Sequence, residues 1–108
     1  MARARVERAA TDAGLEARSA SPGAVVETLR AAPPGMLILD LDAGGTGVID
    51  ELVAARRAGI APERVVGFFS HVDEELGARA RAAGCEALPR GRFWRTLPEL
   101  LRDDDRDG

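Results

Sequence analysis

The sequence predicts one α/β domain in which helices cover both faces of a doubly wound parallel sheet. Two short apolar runs are continuous rather than alternating, which is typical of strands buried on both faces. Segments with helical periodicity separate the strand candidates, and this alternation favours parallel strands joined by right-handed crossovers. The chain of 108 residues suits a single domain, to which we assign residues 1–102.

The N-terminal part of the chain contains two helix candidates and one strand candidate. A helical stripe of apolar residues ends at Gly14, a residue type that commonly terminates helices. Residues 15–20 alternate between apolar and polar side chains and predict an edge strand. Ser21 predicts the N-cap of a second helix, with Pro22 at its first position.

The centre of the chain contains the two strongest strand candidates, Met36–Leu41 and Arg64–Ser70. A glycine-rich stretch after the first of them predicts a loop, followed by a helix that ends at Gly59. After the second, Asp73 predicts the cap of another helix, since negative charge is favourable at a helix N-terminus. That helix is expected to end at Gly84.

The C-terminal part contains a weaker strand candidate, Cys85–Pro89, and a final helix. Pro98 falls inside this helix and predicts either a kink or a helix start near Thr96. Residues 103–108 form a charge run without an apolar anchor and predict a disordered acidic tail. The full expectation is five helices alternating with four strands.

The choice of cationic residues excludes several kinds of chemistry. All fifteen lysine-or-arginine positions hold arginine, and both Schiff-base catalysis and a P-loop require lysine. One cysteine, Cys85, and one histidine, His71, are too few for a structural zinc site with four such ligands. A lone cysteine allows no intrachain disulfide, so we expect a reducing, cytoplasmic compartment. We expect no metal and no cofactor.

The charge and hydropathy of the chain exclude two classes of partner. The net charge is -3, whereas a nucleic-acid-binding module normally carries a clustered basic face. No apolar run approaches the roughly 18 residues of a membrane span, and no apolar segment of a signal peptide follows the N-terminal arginines. We therefore expect neither nucleic acid nor membrane as a partner.

Three stretches resemble the receiver domains of bacterial response regulators, the CheY-like family. Met36–Asp42 resembles the family's third strand, with Asp40 at the phosphoacceptor-like position. Val65–His71 resembles the fourth strand, with Ser70 where receivers keep serine or threonine. Ala82–Phe93 resembles the run from the fifth strand into the last helix. The resemblance implies a three-layer flavodoxin/receiver-like fold and a role in signal transduction.

The chain departs from the family where a receiver performs its chemistry. The first receiver strand is absent, and with it the acidic pair that holds Mg²⁺. Gly91 stands where receivers have a lysine after the fifth strand, with Arg90 and Arg92 on either side. Gly44 stands in place of the proline beyond the phosphoacceptor. These departures predict a degenerate pseudo-receiver.

The absent strand leaves two alternatives, because the first strand is central in the flavodoxin-like order. The start codon is misplaced, and the native protein has some ten more residues; we favour this alternative. Otherwise the domain is truly shortened, and either residues 15–20 pair directly with Met36–Leu41 in a contracted four-stranded sheet or a partner fills the gap.

The candidate site residues fall at strand ends and on the last helix. Asp42, Ser70 and His71 are the strand-end candidates beside Asp40. A hydrolase built on Ser70 and His71 is disfavoured, because adjacent residues of an extended strand point to opposite faces. The predicted interaction surface consists of Trp94, Arg92 and Arg95.

The sequence therefore predicts a non-enzymatic, phosphorylation-independent regulatory domain that binds an unknown protein partner or forms a homodimer. One alternative is a flavodoxin-like protein that binds a nucleotide or phosphate at Asp40, residues 44–47 and Ser70. The other is a phosphorylatable response regulator whose first strand is missing from this chain.

Overall fold

The structure of the protein is a computed structural model that describes residues 2–21, 23–70 and 73–107. Within these ranges the chain forms five helices and three strands. In chain order they are α1 (Ala2–Asp12), α2 (Val25–Ala31), β1 (Met36–Asp40), α3 (Leu41–Arg57), β2 (Arg64–Phe69), α4 (Glu74–Ala82), β3 (Glu86–Pro89) and α5 (Arg90–Asp107).

The sheet is parallel throughout, with strand order β1-β2-β3. Leu39 of β1 and Ala87 of β3 both lie opposite Gly67 of the central strand β2. Helix α3 connects β1 to β2, and α4 connects β2 to β3. The prediction of a parallel α/β domain is thereby confirmed, because each pair of neighbouring strands is joined through a helix.

The prediction of four strands is wrong: the described residues contain three. Residues 15–20 adopt no regular secondary structure, and all of them are exposed except the half-buried Leu15. A strand requires a neighbour with which to share backbone hydrogen bonds, and alternation in the sequence does not supply one. Neither the predicted edge strand nor its direct pairing with Met36–Leu41 is therefore present.

Helices pack on both faces of the sheet, each over its own part of the core. Helices α1 and α5 cover one face, where Phe68 and Phe93 stack with their ring centroids 4.5 Å apart. Helices α3 and α4 cover the other face, and α2 packs against α3. The buried residues of the first face are Ala10, Val66, Phe68, Phe93, Leu97, Leu100 and Leu101. Those of the second face include Leu39, Leu41, Ile49, Leu52, Val65, Phe69, Leu76, Ala80 and Ala87.

Several predicted helix ends agree with the structure. Asp73 caps α4, and its side chain accepts a hydrogen bond from the Leu76 N–H at 3.2 Å. Gly14, Gly59 and Gly84 follow α1, α3 and α4 with positive φ angles. A left-handed residue after a helix allows the last carbonyl groups to be satisfied, which explains why glycine occupies these positions.

Two helix starts differ from the prediction. Ser21 does not cap α2, which begins at Val25, and Glu51 of α3 accepts a hydrogen bond from the Val25 N–H. Pro22, predicted at the first helical position, lies outside the described residues. The second difference concerns α3, which begins directly after β1 instead of after a glycine-rich loop. Gly45 interrupts this helix with φ 58° and ψ -146°, a conformation that is accessible mainly to glycine.

Helix α5 begins at Arg90, directly after β3, and not near Thr96. The Thr96 hydroxyl donates to the Arg92 carbonyl at 2.9 Å inside the helix, and Pro98 follows without ending it. The helical backbone continues through residues 103–107, the segment for which the charge run predicts disorder. None of the helices in the described ranges is both long enough and apolar enough to cross a membrane.

Candidate functional site

Polar side chains from three parts of the chain meet at the carboxyl-terminal edge of the sheet. Asp40 ends β1, Asp42 is the second residue of α3, and Ser70 follows β2. Arg90 follows β3 as the first residue of α5. The carboxyl ends of parallel strands lie at the same edge, so these residues come together although up to 50 positions separate them in the chain.

The guanidinium of Arg90 binds both aspartates. Its Nη2 and Nε atoms donate to Asp42 Oδ2 at 3.0 and 3.2 Å, and Nη2 lies 3.6 Å from Asp40 Oδ1. The side chains are partly exposed, 42% for Arg90 and 27% for Asp42, so water weakens this attraction. We expect the ion pairs to contribute roughly 0.5–1 kcal/mol to folding.

Backbone N–H groups occupy other acceptor positions of the same carboxylates. The Ser70 N–H donates to Asp42 Oδ1 at 2.9 Å, which ties the end of β2 to the start of α3. The Ala43 N–H donates to Asp40 Oδ1 at 3.1 Å, so Asp40 is the N-cap of α3. Asp42 therefore binds Arg90 through one carboxylate oxygen and a backbone donor through the other, whereas Asp40 uses its Oδ1 atom for both contacts.

Three of the four strand-end candidates, Asp40, Asp42 and Ser70, lie in this cluster; His71 falls outside the described residues. The residue that sequence reasoning missed is Arg90, which was noted only as a neighbour of Gly91. Its position directly after the last strand was the available signal, because that position lies at the same edge of the sheet. An added Cβ at Gly91 would meet no atom within 4 Å, so this backbone position is open to solvent.

The residues of the predicted interaction surface lie in the first two turns of α5. Trp94 is half-buried: its ring centroid lies 4.9 Å from that of Phe93, and the guanidinium carbon of Arg5 lies 4.2 Å above the ring. Arg92 and Arg95 on the same helix are exposed. The indole therefore has one side covered by α1, and the two arginines present positive charge beside it.

The single thiol of the chain is unsuited to nucleophilic chemistry. Cys85 is 4% exposed, just before β3, and burial raises the pKa of its thiol to about 11. The nearby Arg56 and Arg81 act in the opposite direction and do not offset the burial. At neutral pH the side chain is a protonated, buried small apolar group.

The groups in the cluster define what it can do chemically. Two carboxylates and one guanidinium form an ion-pair cluster that links the ends of β1 and β3. Among the described residues, no group of three or more histidine, cysteine, aspartate or glutamate side chains is placed to hold a metal ion. A scan against protein-family models finds no match for this chain, and searches of curated proteins and of solved structures find none at a significant level. The geometry of the site is therefore the basis for any statement about function.

Proposed function

We propose that this chain is a receiver-like regulatory domain that acts by binding another protein, independently of phosphorylation and without enzymatic activity. The observation that carries the proposal is the contact of Arg90 with Asp40 and Asp42. In a phosphorylatable carboxylate site, Mg²⁺ must neutralise the charge that develops on the phosphoryl oxygens. Here the guanidinium of Arg90 offsets one of the two negative charges, and a metal ion would have to compete with it for the same carboxylates.

The arrangement of the elements supports the receiver-like part of the proposal. A parallel sheet carries helices on both faces, and Asp40 ends strand β1, as the resemblance implies. Fold alone does not determine activity, so the functional part of the proposal rests on the ionic cluster.

The geometry at Asp40 supports independence from phosphorylation. Its Oδ1 atom already accepts the Ala43 N–H and lies 3.6 Å from the guanidinium of Arg90. A phosphoryl group on Oδ1 would disrupt the cap of α3 and the ion pair together, because both use this oxygen. Arginine is also a planar fork of donors and does not replace a lysine that acts as a point charge on a phosphoryl oxygen.

The experiment is labelling of the protein by ³²P-acetyl phosphate in the presence of Mg²⁺. We expect no incorporation into the wild-type chain, and none into Asp40→Ala. Incorporation into the wild type that disappears in Asp40→Ala would contradict the proposal and identify a phosphorylatable response regulator. An active receiver domain in the same reaction confirms that the reagents work.

The alternative of a nucleotide or phosphate binder has a separate test. Asp40 places a carboxylate at the N-terminus of α3, which repels the anion that this helix end would otherwise attract. We therefore expect no change of melting temperature with nucleotides or inorganic phosphate at high ligand excess. A concentration-dependent rise would favour the ligand-binding alternative.

A further inference from the structure

A groove of about 640 Å³ runs along the edge of β1 that faces away from β2. Met36–Asp40 form its floor. One wall consists of α1 with residues 15–20, and the other consists of α2. The groove lies at the opposite side of β1 from the rest of the sheet, and it extends along the full length of the strand.

The floor of this groove exposes backbone hydrogen-bonding groups. Strand β1 pairs with β2 on one side, and among the described residues no backbone hydrogen bond joins its other side to any segment. An edge strand presents a row of N–H and C=O groups, and these pair with an added strand. The free backbone edge distinguishes this groove from a simple apolar cleft.

The side chains around the groove are apolar on both sides of the floor. Val6, Ala10 and Leu15 line the side of α1, and Val25 and Leu29 line the side of α2. An occupant that extends β1 would therefore be covered on both faces, which favours a continuous apolar segment over an alternating one.

The charges at the rim are already paired within the chain. Arg3 lies 3.1 Å from Glu7, and Arg18 lies 3.2 Å from Glu16. Asp40, at the end of the floor, pairs with Arg90. The two Arg–Glu pairs leave no net charge along the α1 side of the groove, and no charged residue of α2 lines the other side, so the complementary segment is uncharged between its ends.

The walls disfavour a second folded copy of this chain as the occupant. To pair with a second copy, the β1 edge of one copy would have to enter the groove between α1 and α2 of the other copy. Its own α1 and α2 flank that edge, so the helices of the two copies would collide. A single extended segment meets no such obstacle, because it brings no flanking helices.

We infer that the free edge of β1 binds one extended, uncharged apolar strand of about five residues, supplied by a partner polypeptide. The five residues of β1 set the length, about 17 Å at 3.3 Å per residue. The inference is independent of the ionic cluster, since the strand pairs with the backbone of β1 and not with Arg90.

The test uses a fluorescein-labelled peptide of five alternating valine and isoleucine residues between uncharged polar serine residues. Its matched control carries proline at the central position, where the ring removes a backbone donor. We expect saturable binding of the first peptide by fluorescence anisotropy, with slower amide exchange at residues 36–40. The proline peptide should bind at least about tenfold more weakly.

Two protein variants test whether the peptide binds in the groove. Leu15→Glu places a charge at the half-buried wall of the groove and should weaken peptide binding at least about tenfold. Val53→Glu changes another half-buried apolar residue, outside the groove, and should bind as the wild type does. Circular dichroism establishes that each variant is folded; if one is not, the two peptides still test the proposal on the wild type.

Three outcomes would overturn the inference. Absence of saturable binding would show that the edge does not accept a strand. Equal binding of the two peptides would show that backbone pairing is not involved. A dimer in sedimentation, with protected β1 amides in the absence of peptide, would identify a second copy as the occupant. Labelling of Asp40 by acetyl phosphate would contradict the proposed function and leave this result unaffected.

Discussion

The two edges of the sheet are built differently. The edge at β3 has four residues, one of them proline, and its residue Ala87 receives a hydrogen bond from the Arg81 side chain at 2.9 Å. The edge at β1 has five residues, four of them apolar, and opens into a groove. Short length, proline and covering side chains are devices that prevent an edge from pairing with another strand. The chain has these devices at β3, whereas the edge at β1 remains available.

The largest expected effect concerns the central strand, on which both edges depend. A Cβ at Gly67 would lie 2.9 Å from both Cys85 Sγ and Leu41 Cδ1. Gly67→Val should therefore lower the free energy of unfolding by about 3 kcal/mol, because buried atoms must move. Gly47→Ala in α3 is the control, since an added Cβ there meets no atom within 4 Å. Urea denaturation measures both, and equal stability of the two variants would show that β2 is not tightly packed.

The next effect concerns the pH dependence of stability near β3. Burial raises the pKa of Cys85 from its ordinary 9.0 to about 11, so the unfolded chain loses this proton first as the pH rises. This thiol should contribute no pH dependence of stability below pH 9, and stability should fall by about 1.4 kcal/mol per pH unit between 9 and 11. No lysine or tyrosine titrates in this interval, because the chain has none.

The control for this pH dependence is Cys85→Ala, which should have a flat stability profile between pH 9 and 11.

The rate of thiol modification compares how accessible the two edges of the sheet are. Wild-type Cys85 should react slowly with a maleimide at neutral pH. A cysteine introduced by Ile38→Cys in a Cys85→Ala background should react faster, because residue 38 is only half-buried. Equal rates would show that the β3 side is as open as the β1 groove.

A smaller effect is expected when the cover of β3 is removed. Arg81→Met deletes the donor to the Ala87 carbonyl and should cost about 1 kcal/mol of unfolding free energy. Arg79→Met on the same helix removes only an exposed pair with Glu75 and should cost less than about 0.5 kcal/mol. Thermal denaturation compares the two variants, and indistinguishable melting temperatures would contradict a specific role of Arg81 at this edge.

The smallest effect is expected at the contact that joins the ends of the two outer strands. Arg90→Gln removes the ion pairs with Asp40 and Asp42 and should cost about 0.5 kcal/mol, a difference that shrinks as salt is added. Arg92→Gln, two residues further along α5 and exposed, should leave stability unchanged. Urea denaturation at low and high salt measures both, and a salt-independent loss at Arg90 would indicate a packing role instead.

Local signals in the sequence predicted most of the framework. Two apolar runs identified β1 and β2, and the weaker candidate Cys85–Pro89 identified β3. Asp73 and the terminating glycines identified helix ends, because each of these signals depends on neighbouring residues alone. Residues 15–20 were assigned wrongly since a strand also requires a partner, which the alternation does not contain. Arg90 was missed because its contact with Asp42 spans 48 positions in the chain. Contacts of this kind become visible only when the topology brings strand ends together.

The contacts of Arg90 connect the groove beside β1 with the surface around Trp94. Its guanidinium holds Asp40, at the end of the groove floor, and also lies 5.0 Å from the ring of Phe68. That ring is 5.3 Å from the indole of Trp94, at the predicted interaction surface on α5. The Asp40 end of the groove floor and the Trp94 surface on α5 are therefore joined by one continuous set of contacts that runs through Arg90 and Phe68.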